Sequence, residues 1–245
     1  YEQLNHYMNF GPYKTSTSMP MNTNSNTAGV KVKGDINIAQ NSLLRTGAEW
    51  QHYFLNDYWP PSTNQTPTGT GGMVPNTFQN INGGVQQVAS VFGEWEERFT
   101  QDLKSELGVR YSLINSSTGN VQSYRTSSNG TSATVDPSNT GYAMGWTGCN
   151  GTPSSSNLNS CNQVIEANGF NNGTKSRSFN DVDVVLTTSY KQSAKQDMQL
   201  GLARQVRAPS LYELYTWSAW NMAAIMNNYV GDGNGYFGNP NLQAE

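Results

Sequence analysis

Arg204-Gln205-Val206-Arg207-Ala208-Pro209-Ser210-Leu211-Tyr212-Glu213-Leu214-Tyr215 is the most informative block of this chain, and Gly238-Asn239-Pro240-Asn241-Leu242-Gln243-Ala244-Glu245 completes it. An alternating run from Met198 to Ala203 leads into the first block and Pro209 stops it, so a strand with arginines at its end breaks into a loop. By itself, Arg-x-Pro-Ser fits a strand end and turn in any β protein. Outward from that strand the same period of two recurs. Val182, Val184, Leu186, Thr188 and Tyr190 form an apolar stripe. Leu103, Leu107, Val109 and Tyr111 alternate with Lys104, Glu106, Gly108 and Arg110. Leu44, Thr46, Ala48 and Trp50 oppose Arg45, Gly47, Glu49 and Gln51, while Val30, Val32, Ile36 and Ile38 oppose Lys31, Lys33, Asp35 and Asn37. An apolar and a charged face at period two mark β-strands between unlike surroundings.

The chain therefore reads as all-β, with strands near 1–9, 30–39, 43–56, 85–99, 103–115, 179–190 and 197–205. Short turns follow Ala39, Phe99 and Tyr190. Long connections rich in Asn, Ser, Thr and Gly occupy residues near 10–29, 57–84, 116–178 and 206–245. Outer-membrane barrels have this asymmetry, with short periplasmic turns and longer extracellular loops. A soluble sandwich shows turns every ~8–12 residues at both ends, and a loop like 116–178 is out of place in a compact domain. Composition agrees. Charged residues make up 13% of the chain, about half the ~25% usual for soluble domains. A net charge of −3 with no Lys/Arg stripe argues against nucleic acid as a partner. No run of ~20 apolar residues is present, so no transmembrane helix can be built, which leaves barrel strands open.

"RAPSLYELY" followed by "GNPNLQAE" resembles the barrel signature of TonB-dependent outer-membrane receptors, and "ASVFGEWEERFTQDLKSELGVRYSL" resembles that family's strand, turn and strand ending in "GxRY". The resemblance implies that residues 1–245 form an antiparallel transmembrane β-barrel segment within a wall of about 22 strands around a plugged lumen. Seven strands cannot close such a wall, so the plug domain and remaining strands are expected elsewhere in a parent protein. The resemblance further implies the outer membrane of a Gram-negative bacterium, with its lipid and lipopolysaccharide as surroundings. The implied protein partners are its own plug and the TonB-ExbB-ExbD energy-coupling complex, reached through an N-terminal segment. A receptor of this kind transports its cargo and is not an enzyme.

His6-Tyr7-Met8 raises the question of metal. Residues i and i+2 of a strand share a face, so this imidazole and thioether can hold one ion together. Thioether sulfur selects soft Cu(I), and imidazole is compatible with it. An incidental His and Met on a polar wall is the alternative. The family resemblance bears on the choice. "NHYMNF" is similar to the barrel half of the site in copper receptors of the OprC/NosA type, where a Cys-x-x-x-Met from the plug supplies the other half. The resemblance thus implies a copper ion, Cu(I) or Cu(II), as cargo, with no organic cofactor. Met19 and Met21 are possible secondary soft contacts or plain loop features.

Cys149 and Cys161, the only cysteines, lie in the longest loop. In the oxidising envelope a disulfide between them is expected, stabilising by ~3 kcal/mol on the chain-entropy model. Their spacing fits neither a CxxC redox pair nor a zinc site. Glu94, Glu96 and Arg98 read as a lumen face pairing with the plug. Arg204 and Arg207 read as rim contacts near Glu213, and His52 as part of an aromatic girdle. No G-x-S-x-G, phosphate loop or H-E-x-x-H occurs. Three functions stay in view: a copper transporter, a receptor of the same fold for a ferric siderophore or other cargo, and a secreted β-rich glycan-binding protein.

Overall fold

The structure, a computed structural model, describes residues 1–8, 20–61, 76–124, 166–219, 221–227, 231–232 and 234–245, the side chains of 8, 221 and 222 excepted. Seven strands form one sheet in the order β1-β2-β3-β4-β5-β6-β7, every neighbouring pair antiparallel. They are β1 (Glu2–Met8), β2 (Met21–Ala39), β3 (Ser42–Trp59), β4 (Phe78–Arg98), β5 (Leu103–Ser117), β6 (Ser176–Ser193) and β7 (Gln196–Arg204). Three short helical segments follow β5 and β7: α1 (residues 166–172), α2 (Leu211–Tyr215) and α3 (Asn221–Met226).

Register sorts the two faces. Val32, Ala48, Val91, Tyr111 and Val182 form one cross-strand row, and Ile36, Leu44, Trp95, Leu107, Leu186 and Leu202 another. This apolar belt is open to its surroundings: Val32 is 67% exposed, Val91 57% and Leu202 62%. Val182, Val184 and Leu186 lie in the belt and not in a closed soluble core. Trp50 and Tyr111 stand near its upper border and Trp95 and Tyr190 near its lower one, where the Trp95 Nε1 donates to Ser42 Oγ at 2.8 Å. Exposed apolar patches of this extent are not tolerated in water, whereas a lipid-facing band flanked by aromatics requires them.

The opposite face carries the charges. Arg45 donates to Glu94 at 2.5 Å and to Glu96 at 2.7 Å, Lys104 sits 3.0 Å from Glu96, and Arg110 sits 3.3 Å from Glu49. Glu94 and Glu96 are thus paired within the wall itself. Phe92 lies across Gly47, where a Cβ would meet its ring at 2.6 Å, and the Lys31 ammonium stands over the same ring at 5.2 Å. An aromatic covering a strand glycine restores packing that the missing side chain forfeits.

The wall rises further above the belt than the sequence pattern suggests. β2 begins at Met21, β3 runs to Trp59 and β4 begins at Phe78, so parts of the expected loops 10–29 and 57–84 are strand. The run Asn22-Thr23-Asn24-Ser25-Asn26-Thr27 has no apolar alternation, yet it pairs with β1 on one side and β3 on the other. Ladder hydrogen bonds hold it, and water on the outer face removes the hydropathy contrast that marks the belt. The stretch after β7 is likewise not structureless, since α2 and α3 fold within it.

Candidate functional site

The two motif blocks meet in space. Ser210 caps α2 with a capping box: its Oγ accepts from Glu213 N at 3.3 Å, and the Glu213 carboxylate accepts from Ser210 N at 2.7 Å. Arg207 grips the same carboxylate with two nitrogens at 2.8 and 2.9 Å and also reaches Glu245, the last residue of the second block. Arg207 and Glu245 exchange backbone hydrogen bonds of 2.8 and 3.1 Å. Gly238 N donates to Thr216 O, and a Cβ at Gly238 would lie 2.8 Å from the Leu214 carbonyl carbon, so only glycine fits this approach. The Arg207 donors are the main reason why the Glu213 carboxyl is pushed down to about 2. Arg207 makes the rim contact expected of it; Arg204 turns instead to the Val182 carbonyl.

That clamp lays α2 and α3 against the charged side of the upper wall and creates a hydrophobic core there. Leu211, Leu214 and Tyr215 of α2 pack with Leu55, Ile81, Ile114 and Phe179 from four strands. Beside them Trp59 stacks on Phe78 with centroids 4.4 Å apart, Phe78 on Trp217 at 4.9 Å, and Met21 is buried in the same cluster. This folded unit, the described residues of 205–245 with their wall, is the cap.

Asp57 lies at the junction of cap and wall and is fully buried. Thr23 of β2 donates to one carboxylate oxygen at 2.9 Å and Asn80 of β4 to the other at 2.7 Å, while the Tyr212 hydroxyl of α2 is a third partner. Asn80 also donates to Asn227, just after α3, at 2.8 Å. Burial pushes the Asp57 carboxyl up, against the pull of its three donors and of nearby His6. Sequence reading passed over Asp57. Its signal is an acidic residue at an inward position between Leu55 and Trp59, where alternation calls for an apolar one.

His6 is exposed and pairs with Thr23, which pairs in turn with Asp57, so the three share a row on one face. The Met8 backbone pairs with Met21 two positions along β1. The register therefore brings His6, Met8 and Met21 to one corner of the sheet above the belt. The Met21 side chain is buried against Trp59 and its neighbours, a packing position. Met19, Cys149 and Cys161 lie outside the described residues. No group of three or more His, Cys, Asp or Glu side chains able to hold a metal is present among the described residues. His52 is on the belt face and stacks on Trp50 at 6.1 Å, in keeping with a girdle role.

No family model and no curated protein matches the sequence. Solved structures do. The chain is similar to the copper transporter OprC, with 13% identity and a TM-score of 0.53 over 87% of this chain and 27% of that one. It is also similar to a double mutant of the Serratia marcescens hemophore receptor HasR in complex with its hemophore and heme, with 14% identity and a TM-score of 0.48 over 92% of this chain and 29% of that one. The fold is that of an arc of a TonB-dependent receptor barrel, open because seven strands are only part of the wall. The chain spans little more than a quarter of the length of OprC.

Proposed function

We propose that this chain is the wall segment of a TonB-dependent outer-membrane transporter that binds copper outside the cell and imports it. The observation that supports this reading is the corner at the top of the sheet, where β1 brings His6 and Met8 to alternate register positions opposite Thr23 and Met21. One imidazole and one thioether make half of a tetrahedral Cu(I) site. The plug shares the lumen and is the natural source of the other ligands. Plug movement during energised transport, driven through TonB-ExbB-ExbD, then removes ligands and leaves a half-site of low affinity. Capture and release follow from one geometry. The protein acts by binding and passage, not by catalysis.

The test uses the full-length receptor with His6→Ala, Met8→Ala and the double variant. Copper content after dialysis and copper uptake by cells should fall by roughly tenfold or more, the loss typical even of outer-shell changes at metal sites. The barrel should stay folded, because positions on the charged face contribute little to lipid-facing stability. Unchanged copper in the double variant would sink the copper reading and leave a ferric siderophore or another cargo ahead.

A further inference from the structure

The cap is built around a buried carboxyl group that has no ion pair among the described residues. Asp57 is fully buried, accepts from β2, β4 and α2 at once, and has no lysine or arginine within ion-pair distance among the described residues. The Asn80 amide can only donate to Asp57, while the Thr23 and Tyr212 hydroxyls can donate or accept, so whenever Asp57 is ionised it accepts from all three. Burying an unpaired charge is costly, and the cost falls on the docked cap. One base is placed to offset it. His6 lies in the same cross-strand row, two strand spacings or about 10 Å away along the ladder, with only the short Thr23 between.

We infer that Asp57 couples His6 to the cap: a cation held at His6 supplies the charge that the buried carboxylate lacks, and so strengthens the docking of α2 and α3 on the wall. The inference rests on the proposed cation site at His6 and deepens it. The chain of contacts is continuous. Cation at His6 acts on Asp57 across Thr23; Asp57 holds Tyr212 of α2 directly and Asn227 beyond α3 through Asn80. Linkage makes the effect reciprocal, so a docked cap also raises the affinity of the corner for a cation. The same field disfavours an anionic cargo at this place. Asp57 is thus a positioning residue and not a ligand.

The experiment is hydrogen exchange, read by mass spectrometry on peptides spanning 211–227 of the full-length receptor. Two probes supply the cation: Cu(I) under reductant, and the metal-free variant His6→Lys, which places a permanent ammonium in the corner. Each should slow exchange across the cap by about fivefold or more, the lower end of ordinary coupling between sites. Asp57→Asn should abolish the slowing with both probes, whichever way its baseline moves. A merely structural Asp57 would shift the baseline and leave the increment intact, which overturns the proposal. If the parent retains no copper, the copper reading fails by itself, and His6→Lys with and without Asp57→Asn still decides the coupling. If Asp57→Asn yields no heat-modifiable barrel, Asp57→Ser, which also removes the charge, replaces it; an undiminished increment there overturns the proposal equally.

Discussion

The belt and the cap of this molecule place their apolar residues by opposite rules. In the belt, Val32, Val91, Leu107 and Leu202 stand outward and exposed, while Arg45, Glu94, Glu96 and Lys104 pair on the other face. In the cap, Trp59, Phe78, Leu214 and Tyr215 are buried as in any water-soluble core. The same wall strands contribute to both. What changes along β3, from Leu44 to Trp59, is the surroundings: lipid on one side of the belt, water around the upper wall. Lipid takes the place of a core, so the belt needs none of its own. Above it the chain must bury apolar surface internally, and it does so by folding α2 and α3 onto the wall. Burial here reports on solvent, not on position in the fold.

The contrast is broken most severely at Trp59. Truncation of a fully buried aromatic costs about 3–5 kcal/mol, and Trp59 has its ring stacked on Phe78. Trp59→Ala should therefore release the cap without opening the wall. Segment-resolved hydrogen exchange is expected to show lost protection over 205–227 and unchanged protection in β4 and β5 below the belt's upper border. Loss spread evenly over the whole sheet would mean that cap and belt are one cooperative unit. The next largest effect belongs to the belt. Val109→Arg places a charge on the lipid face, 45% exposed in the row with Gly93 and Val184 midway between the two aromatic borders, at a cost of about 2–4 kcal/mol near mid-membrane. Denaturant unfolding in bilayers should register that loss with cap exchange unaltered. A neutral result would remove Val109 from the lipid face.

The difference between the regions also explains what the sequence discloses. The belt is legible because lipid and lumen impress opposite hydropathy on alternate residues, so Val30 to Ile38 and Val182 to Tyr190 read directly as strands. The upper wall is not. In Asn22 to Thr27 both faces are polar, and the evidence for a strand is the pairing with β1 and β3, which no local pattern records. The clamp of the cap is half legible: Ser210 and Glu213 stand at capping-box spacing, but the partner Glu245 lies 38 residues from Arg207. Asp57 escapes for a similar reason. Its hub joins Asn80 to Asn227 across 147 residues, and only the fold brings them together. The corner of His6 and Met8 is legible as a spacing, yet its partners on β2 and β3 are again a product of register.

The smallest expected effect concerns acid, and its sign follows from two carboxyls shifted in opposite directions. Glu213 is pushed down to about 2 from an ordinary 4.5, chiefly by Arg207 and further by the Ser210 backbone. Its contribution to cap stability is complete above 4.5 and drains away as pH falls towards 2. Asp57 is pushed up by burial, so protonation between its ordinary 3.8 and its raised folded value favours the docked cap. On acidification the cap should first gain slightly and then weaken below about 4.5, where Glu213 of the undocked form begins to take up a proton while the docked one stays paired with Arg207. Glu213→Gln isolates the second limb. Glutamine keeps the capping box but surrenders the charge-assisted grip of Arg207, a loss of about 1 kcal/mol for a partly exposed pair. Trypsin cleavage within 205–245, followed from pH 7 to the limit of protease activity and by pulsed exchange below it, should show a flatter acid limb in the variant than in the parent. An acid limb of equal steepness in both would show that some group other than Glu213 opens the cap.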